Sequence, residues 1–218
     1  LVQLAKEPPD SLLALERRAR ADTASAQSLL HSQGYYDGLA SVQIDKDASP
    51  VVVDLVLSPG KRYSLGRADV YYDPEPDIPQ FFRNRQREVG FWGLQTEPVP
   101  PPSFPTVLPG VAIGKPIAAD DLLAAVDALP ESLRRQGYPL AAVADTSYTL
   151  DREARKLNAD ILVRPGPPAL MGRIEVRGAK EVNAEYVQRL APWNVGEEPW
   201  DSDMVEDYAN KLRGLGLF

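Results

Sequence analysis

The chain contains no cysteine. Disulfides, thiolate metal ligands and thiol nucleophiles are therefore excluded. A cysteine-free chain suits an oxidising compartment such as a periplasm, but many cytosolic proteins also do without cysteine. Histidine occurs once, as His31, and a lone histidine makes neither a zinc site nor a triad. No run approaches the roughly 18 apolar residues of a membrane-crossing helix. Positive charge is in deficit, with 24 Lys and Arg against 31 Asp and Glu and a net charge of −7. That balance argues against nucleic acid, which needs a concentrated positive field. The basic run Arg83, Arg85, Arg87 is the local exception and reads as a solvated face. No G-x-G-x-x-G, P-loop or G-x-S-x-G motif occurs. The carboxylates Asp201, Asp203, Glu206 and Asp207 read as helix capping and solvation rather than as a hydrolase pair. No catalysis, cofactor, metal or small-molecule substrate is expected.

What the chain has is a repeat. Residues 59–70 read P-G-K-R-Y-S-L-G-R-A-D-V and residues 165–176 read P-G-P-P-A-L-M-G-R-I-E-V. Pro-Gly and Gly-Arg both recur at an offset of 106 residues. A second phrase occurs three times, as Gly34-Tyr35-Tyr36, Gly137-Tyr138-Pro139 and Gly216-Leu217-Phe218. Repeats of this kind mark modules in tandem, which usually bind or scaffold.

Each module has a readable order. Ser11 to Gln33 lacks Gly and Pro and places Leu12, Leu15, Ala19, Thr23, Ala26 and Leu30 on one helix face, with Asp10 to cap it and Gly34 to end it. Ala40, Val42 and Ile44, then Val51, Val53, Leu55 and Leu57, alternate as two strands of a hairpin. The second module predicts a strand over Tyr63 to Tyr72 and a helix or broken pair over Pro116 to Gln136, because Pro130 interrupts it. It closes with a hairpin of Ala141 to Leu150 and Lys156 to Val163, whose inward face is Leu157, Ala159, Ile161 and Val163. The third predicts a strand over Leu170 to Arg177, a short helix capped by Asn183 with a Val182–Val187 staple, and a helix capped by Asp201 with a Trp200–Val205 staple. Val205, Tyr208 and Leu212 line that last helix's buried face, and Gly214 and Gly216 stop it. The first copy lacks its opening strand and the third its closing hairpin. A lone strand and two helices could not satisfy the sheet-facing backbone groups or close a core well, so the sequence reads as excised at both ends from something longer; the lack of a signal-peptide pattern in Leu1 to Asp10 says little of such a fragment.

One copy is longer than the others. Between Asp73 and Gly110 lies an insertion rich in proline, which also carries Phe81, Phe82, Phe91, Trp92 and Phe104. Its aromatics are expected to pack on their own protein ahead of a partner, with Phe91 and Trp92 as candidate contacts.

The order strand, helix, helix, strand, strand, with G-Y before the hairpin and P-G before the next module, resembles the POTRA domain. The phrases at Leu30 to Tyr36, Leu133 to Pro139 and Arg164 to Gly178 are most similar to TamA-like outer-membrane assembly factors, within the BamA-like insertase superfamily. The resemblance implies an α+β fold of tandem modules at 1–60, 61–166 and 167–218. Each is a small three-stranded mixed sheet with two helices on one face. It implies a non-enzymatic periplasmic arm in a Gram-negative bacterium, a membrane β-barrel further along the same protein, an envelope partner of the TamB kind and unfolded outer-membrane or autotransporter clients. The arm of BamA or of a two-partner-secretion transporter, and a cell-division scaffold without client, are the alternatives.

The resemblance also implies where a client would bind. The second strand of each module is an exposed edge, placing candidate strand-addition residues at Val42 and Ile44 and at Ala142, Ala144 and Thr146. Lys46 or Asp145 would protect those edges if they are ordinary strands. Gly66-Arg67 and Gly172-Arg173 are candidate joints between modules, glycine permitting close backbone approach.

Overall fold

The computed structural model describes residues 9, 11–82, 86–89, 95–98, 100–177 and 183–215. In chain order the elements are α1 (Leu12–Ser32), β1 (Leu39–Asp45), β2 (Val52–Ser58), β3 (Ser64–Tyr72), a 3-10 turn (Gln80–Phe82), β4 (Gln86–Val89), β5 (Gln95–Pro98), α2 (Ala119–Arg134), β6 (Ala142–Asp151), β7 (Lys156–Arg164), α3 (Ala184–Arg189) and α4 (Ser202–Gly214). The class is α+β, small sheets with helices, as the sequence implied. The chain forms two compact units, one of Leu1–Arg67, Val111–Ala124 and Tyr148–Asn158, the other of Ala68–Gly110, Ala125–Ser147 and Ala159–Phe218.

The cap of α1 is Ser11 rather than Asp10, which lies outside the described residues. Ser11 is extended, so its Oγ can accept the Ala14 N–H at 3.2 Å, an orphan donor of the first turn. At the other end Gly34 takes a φ of +86° and the chain turns out of the helix. Ala19 and Leu30 are buried, while Leu12 is exposed. β1 and β2 pair antiparallel from Leu39↔Ser58 to Asp45↔Val52. Ala40, Val42 and Ile44 are half-buried and their neighbours exposed, the period of two that the sequence carries.

The larger sheet has the order β3-β7-β6. The Ser64 N–H donates to Arg155 O at 3.1 Å and the Asp73 N–H to Val163 O at 3.0 Å. Both strands therefore advance together and run parallel, whereas β6 and β7 are a hairpin. Leu157, Ala159, Ile161 and Val163 are buried along β7, and Leu65, Ala68 and Val70 along β3. α2 buries Leu122, Val126, Leu129 and Leu133, steps of four, three and four on one face. It is one continuous helix with Pro130 inside. Proline there costs about 3 kcal/mol through the lost bond to the carbonyl four residues back. Burial of Leu129, Leu133 and Pro130 itself offsets that cost.

Beyond Gly166 the expected strand over Leu170 to Arg177 does not form. Leu170 bridges Pro199, and no described strand lies beside residues 171–177 to make a ladder. Side chains take the carbonyls instead: Trp193 Nε1 donates to Gly172 O at 3.0 Å and Gln188 Nε2 to Ile174 O at 3.0 Å. Asn183 caps α3 and Asp201 caps α4, each accepting two backbone N–H groups. Val182 and Gly216 lie outside the described residues. Gly214 is the last residue of α4 rather than its stop; the helix closes on Leu215, whose N–H bonds back to Lys211 and Leu212. Tyr208 is buried, and its hydroxyl donates to Val187 O at 2.7 Å.

Candidate functional site

Two features stand out: a backbone joint used twice, and a sheet edge that pairs with no strand among the described residues. At the first joint the Tyr63 N–H donates to Gly34 O at 2.8 Å, and at the second the Ala169 N–H donates to Gly137 O at 2.9 Å. The next bonds repeat as well. The Leu65 N–H donates to Lys115 O and the Gly114 N–H to Leu65 O, at 2.9 and 2.6 Å. The Met171 N–H donates to Glu198 O and the Gly196 N–H to Met171 O, at 2.7 and 2.8 Å. Ser64 bridges Pro116 as Leu170 bridges Pro199. Tyr63 with Ala169 and Leu65 with Met171 keep the 106-residue offset of the Pro-Gly pairs, whose glycines share a φ of +70° and +71°. The sequence shows Gly114 and Gly196 as matching positions, at 48 and 24 residues from Gly66 and Gly172, but the phrases they open, Gly114-Lys115-Pro116 and Gly196-Glu197-Glu198-Pro199, are not among the candidate joints.

Gly137 is the tightest point. Its φ is +99°, and a Cβ there would overlap the Phe82 ring and lie 3.3 Å from Pro199 Cβ. Phe82 is buried and stacks on Tyr138 with centroids 5.8 Å apart. Phe104 meets Tyr138 edge-on at 5.1 Å, and the Tyr138 hydroxyl donates to Asp77 O at 2.7 Å. The aromatic ends of the insertion thus pack on their own protein. Phe91 and Trp92 lie outside the described residues. Tyr72, edge-on to Phe104, has its hydroxyl pushed up to about 12 by burial.

The first joint is polar where the second is apolar. Asp37 accepts from the Tyr63 hydroxyl at 2.8 Å and from Arg152 Nη1 at 2.9 Å. Burial raises the Tyr63 hydroxyl pKa, and the bond to Asp37 raises it further. Counting on from the Gly-Tyr phrase, Leu140 stands in the place of Asp37, and Ala169 in that of Tyr63.

Gly66 lies within β3, where an added Cβ would strike Asn158 Oδ1 and come within 3.0 Å of Lys156 Cβ, both on β7. Gly172 has open space around its Cα, and Arg173 is exposed. The joint hydrogen bonds above are made by neighbours of these four candidates: Tyr63 and Leu65 beside Gly66-Arg67, and Ala169 and Met171 beside Gly172-Arg173.

The sheet edges differ in cover. On β3 the Val70 N–H donates to Thr106 O and the Leu108 N–H to Ala68 O, at 2.9 and 2.8 Å, so the strand segment beyond takes that edge. β6 ends the sheet on the other side. Ala142 and Ala144 are exposed and Thr146 half-buried, and the Thr146 N–H donates to Asp145 Oδ1 at 2.9 Å. Burial along β6 falls on Val143, Thr146 and Leu150, a break in the two-residue period beside Asp145. In β1 Val42 and Ile44 are half-buried, and the Ala40 N–H donates to Gln27 Oε1 at 2.9 Å. Lys46 pairs with Glu16 at 2.6 Å. Among the described residues no cluster of three His, Cys, Asp or Glu side chains has metal-holding geometry, and no helix is long and apolar enough to cross a membrane.

No family model matches the chain, and no curated protein matches it. Among solved structures it is similar to the third to fifth POTRA domains of BamA from Haemophilus influenzae, at 16% identity and a TM-score of 0.49, covering 91% of this chain and 70% of that one. It is similar to BamA from Haemophilus ducreyi lacking its first three POTRA domains, at 15% identity and a TM-score of 0.45, covering 69% of this chain and 24% of that one. It is also similar to the first three POTRA domains of an Omp85 protein from Anabaena, at 15% identity and a TM-score of 0.36, covering 90% of this chain and 71% of that one.

Proposed function

We propose that this chain is a non-enzymatic periplasmic arm of an outer-membrane protein assembly or translocation factor, made of tandem POTRA-like modules at 1–60, 61–166 and 167–218. The reading is carried by a joint repeated bond for bond together with an edge at β6 that no strand covers among the described residues. Repeated joints set modules in a fixed succession, as an arm requires. An open strand edge accepts an extended chain through backbone bonds, which read no particular sequence and so suit unfolded clients. The small side chains of Ala142 and Ala144 leave room for that approach.

The finer reading rests on the phrases around Gly34, Gly137 and Pro165, which resemble TamA-like factors. On that reading the arm docks an envelope protein of the TamB kind, guides β-barrel or autotransporter clients, and is followed by its own membrane barrel. Gly66, Arg67, Gly172 and Arg173 flank the bonds of these joints.

The test is a photoreactive side chain at Thr149, on the exposed part of β6, irradiated in an envelope extract with crosslinked proteins identified by mass. The expected products are a large TamB-like envelope protein or unfolded outer-membrane proteins. Division proteins alone, or products equally abundant from a probe placed on α4, would refute the reading.

A further inference from the structure

The two candidate receiving strands are not equally open. The outer edge of β1 is already occupied by a side chain of α1. Gln27 lays its carboxamide across the start of the strand: Oε1 accepts the Ala40 N–H at 2.9 Å, and Nε2 donates to Gly38 O. One residue of an added parallel strand would make the same two bonds, to a carbonyl and to an N–H two residues further on. The carboxamide therefore stands in for a client's peptide groups. An N–H turned to Gln27 is turned away from β2, and with the strand's period of two Val42 and Ile44 present theirs the same way. Access to those groups begins at the position that Gln27 holds. Gln27 is itself anchored: its bond to Gly38 is partly buried, and Nε2 lies 2.9 Å from His31 Nε2 on the same helix.

At β6 a helix side chain holds only the carbonyl that precedes the strand, Arg134 Nη2 of α2 donating to Ala141 O at 2.7 Å, and the contact along the strand itself is local. Asp145 takes the N–H of the next residue, Thr146, with an exposed side chain that is free to rotate into water. Among the bonds of the described residues no helix side chain takes an N–H along β6, as Gln27 takes that of Ala40 in β1.

We propose that Gln27 is a built-in plug of the β1 edge, and that β6 is the strand that receives an extended polypeptide segment. β1 opens only to a segment that displaces the carboxamide. This rests on the strand-addition reading above and adds which edge is used and what closes the other.

The chain lacks cysteine, so one introduced thiol reports one position. Ser41→Cys marks β1 and Thr149→Cys marks β6, both exposed. The probe is a ten-residue peptide of alternating valine and threonine with terminal lysines and one cysteine activated as a pyridyl disulfide. Each rate is divided by that of the same activated cysteine without the peptide, which removes intrinsic thiol reactivity. The Thr149→Cys variant should then react about ten-fold faster than the Ser41→Cys variant, a difference equivalent to one decade in affinity. Adding Gln27→Ala, with circular dichroism to confirm the fold, should bring the β1 rate up to that of β6. Equal rates in the two single variants, or a β1 rate unmoved by Gln27→Ala in a folded protein, would overturn the plug while leaving strand addition standing. Peptide and free reagent reacting alike at both strands in every variant would overturn strand addition and the plug with it.

Discussion

Gly137→Ala is the perturbation whose effect follows most directly from the repeated joint. Two costs add. The first is the backbone: Gly137 sits at a φ of +99°, and an L-residue in the left-handed region costs about 1–2 kcal/mol. The second is overlap. The new Cβ would lie 2.7 Å from Phe82 Cε1 and 3.3 Å from Pro199 Cβ, and forcing an extra methyl into a packed site costs about 1–3 kcal/mol. Phe82 has little freedom to yield, since it is 4% exposed and its ring is stacked on Tyr138. The sum is roughly 2–5 kcal/mol. For a chain of this length, each kcal/mol lowers the melting temperature by roughly 2–4 °C, so a loss of about 4–20 °C is expected. Gly60→Ala is the control: its φ is +70° and nothing lies within 4 Å of the added Cβ. It carries the backbone cost alone, and should lose only about 2–8 °C. Thermal unfolding followed by circular dichroism reads both variants, and Phe82→Ala in the Gly137→Ala background should recover part of the loss. Equal melting temperatures for the two glycine variants would refute the claim that Phe82 seals the joint.

Tyr138→Phe removes the hydroxyl bond to Asp77 O but keeps the ring contacts with Phe82 and Phe104; it should cost about 1 kcal/mol in urea unfolding, and an unchanged midpoint would mean the bond contributes nothing. Tyr72 is held neutral up to about 12 against an ordinary 10.0. The fold favours its neutral form, so this contribution is whole below about pH 10 and is lost as pH rises toward about 12. Tyr72→Phe should flatten that alkaline loss, and the variant's tyrosinate absorbance should lack the last-titrating step; identical stability curves would contradict this. Asn183→Ala removes the acceptor of the Glu185 and Tyr186 N–H groups. It should destabilise α3 by about 1 kcal/mol, seen as faster hydrogen exchange confined to that helix.

Much of the fold was legible because local rules and tertiary packing agree. The alternation in residues 39–58 became the β1–β2 hairpin, and Leu157 to Val163 became the buried face of β7. Asn183 and Asp201 cap helices because a short side-chain acceptor precedes an apolar periodic run. The failures have physical reasons. Leu170 to Arg177 has the pattern of a strand but has no neighbouring strand among the described residues, and pattern alone makes no ladder. Pro130 leaves a helix or a broken pair open over Pro116 to Gln136, and buried leucines on both sides hold one continuous helix through it. At the candidate site, periodicity pointed to Val42, Ile44, Ala142, Ala144 and Thr146, but not to what already bonds the edges. Gln27 is 13 residues from Ala40, a long-range contact that no local pattern encodes. The glycines that hold the joints were visible as Gly34 and Gly137 in the Gly-Tyr phrase, while attention to Gly-Arg placed the candidates beside the bonds rather than at them.

The most direct test of the account is residue-resolved amide hydrogen exchange across β6, with and without a saturating strand peptide of alternating valine and threonine. The account predicts slower exchange at Thr146, Tyr148 and Leu150, which share the phase of the N–H turned away from the sheet, with β1 unchanged until Gln27 is replaced by alanine. Slowing on β1 in the parent protein, or no slowing on β6 at saturation, would contradict it.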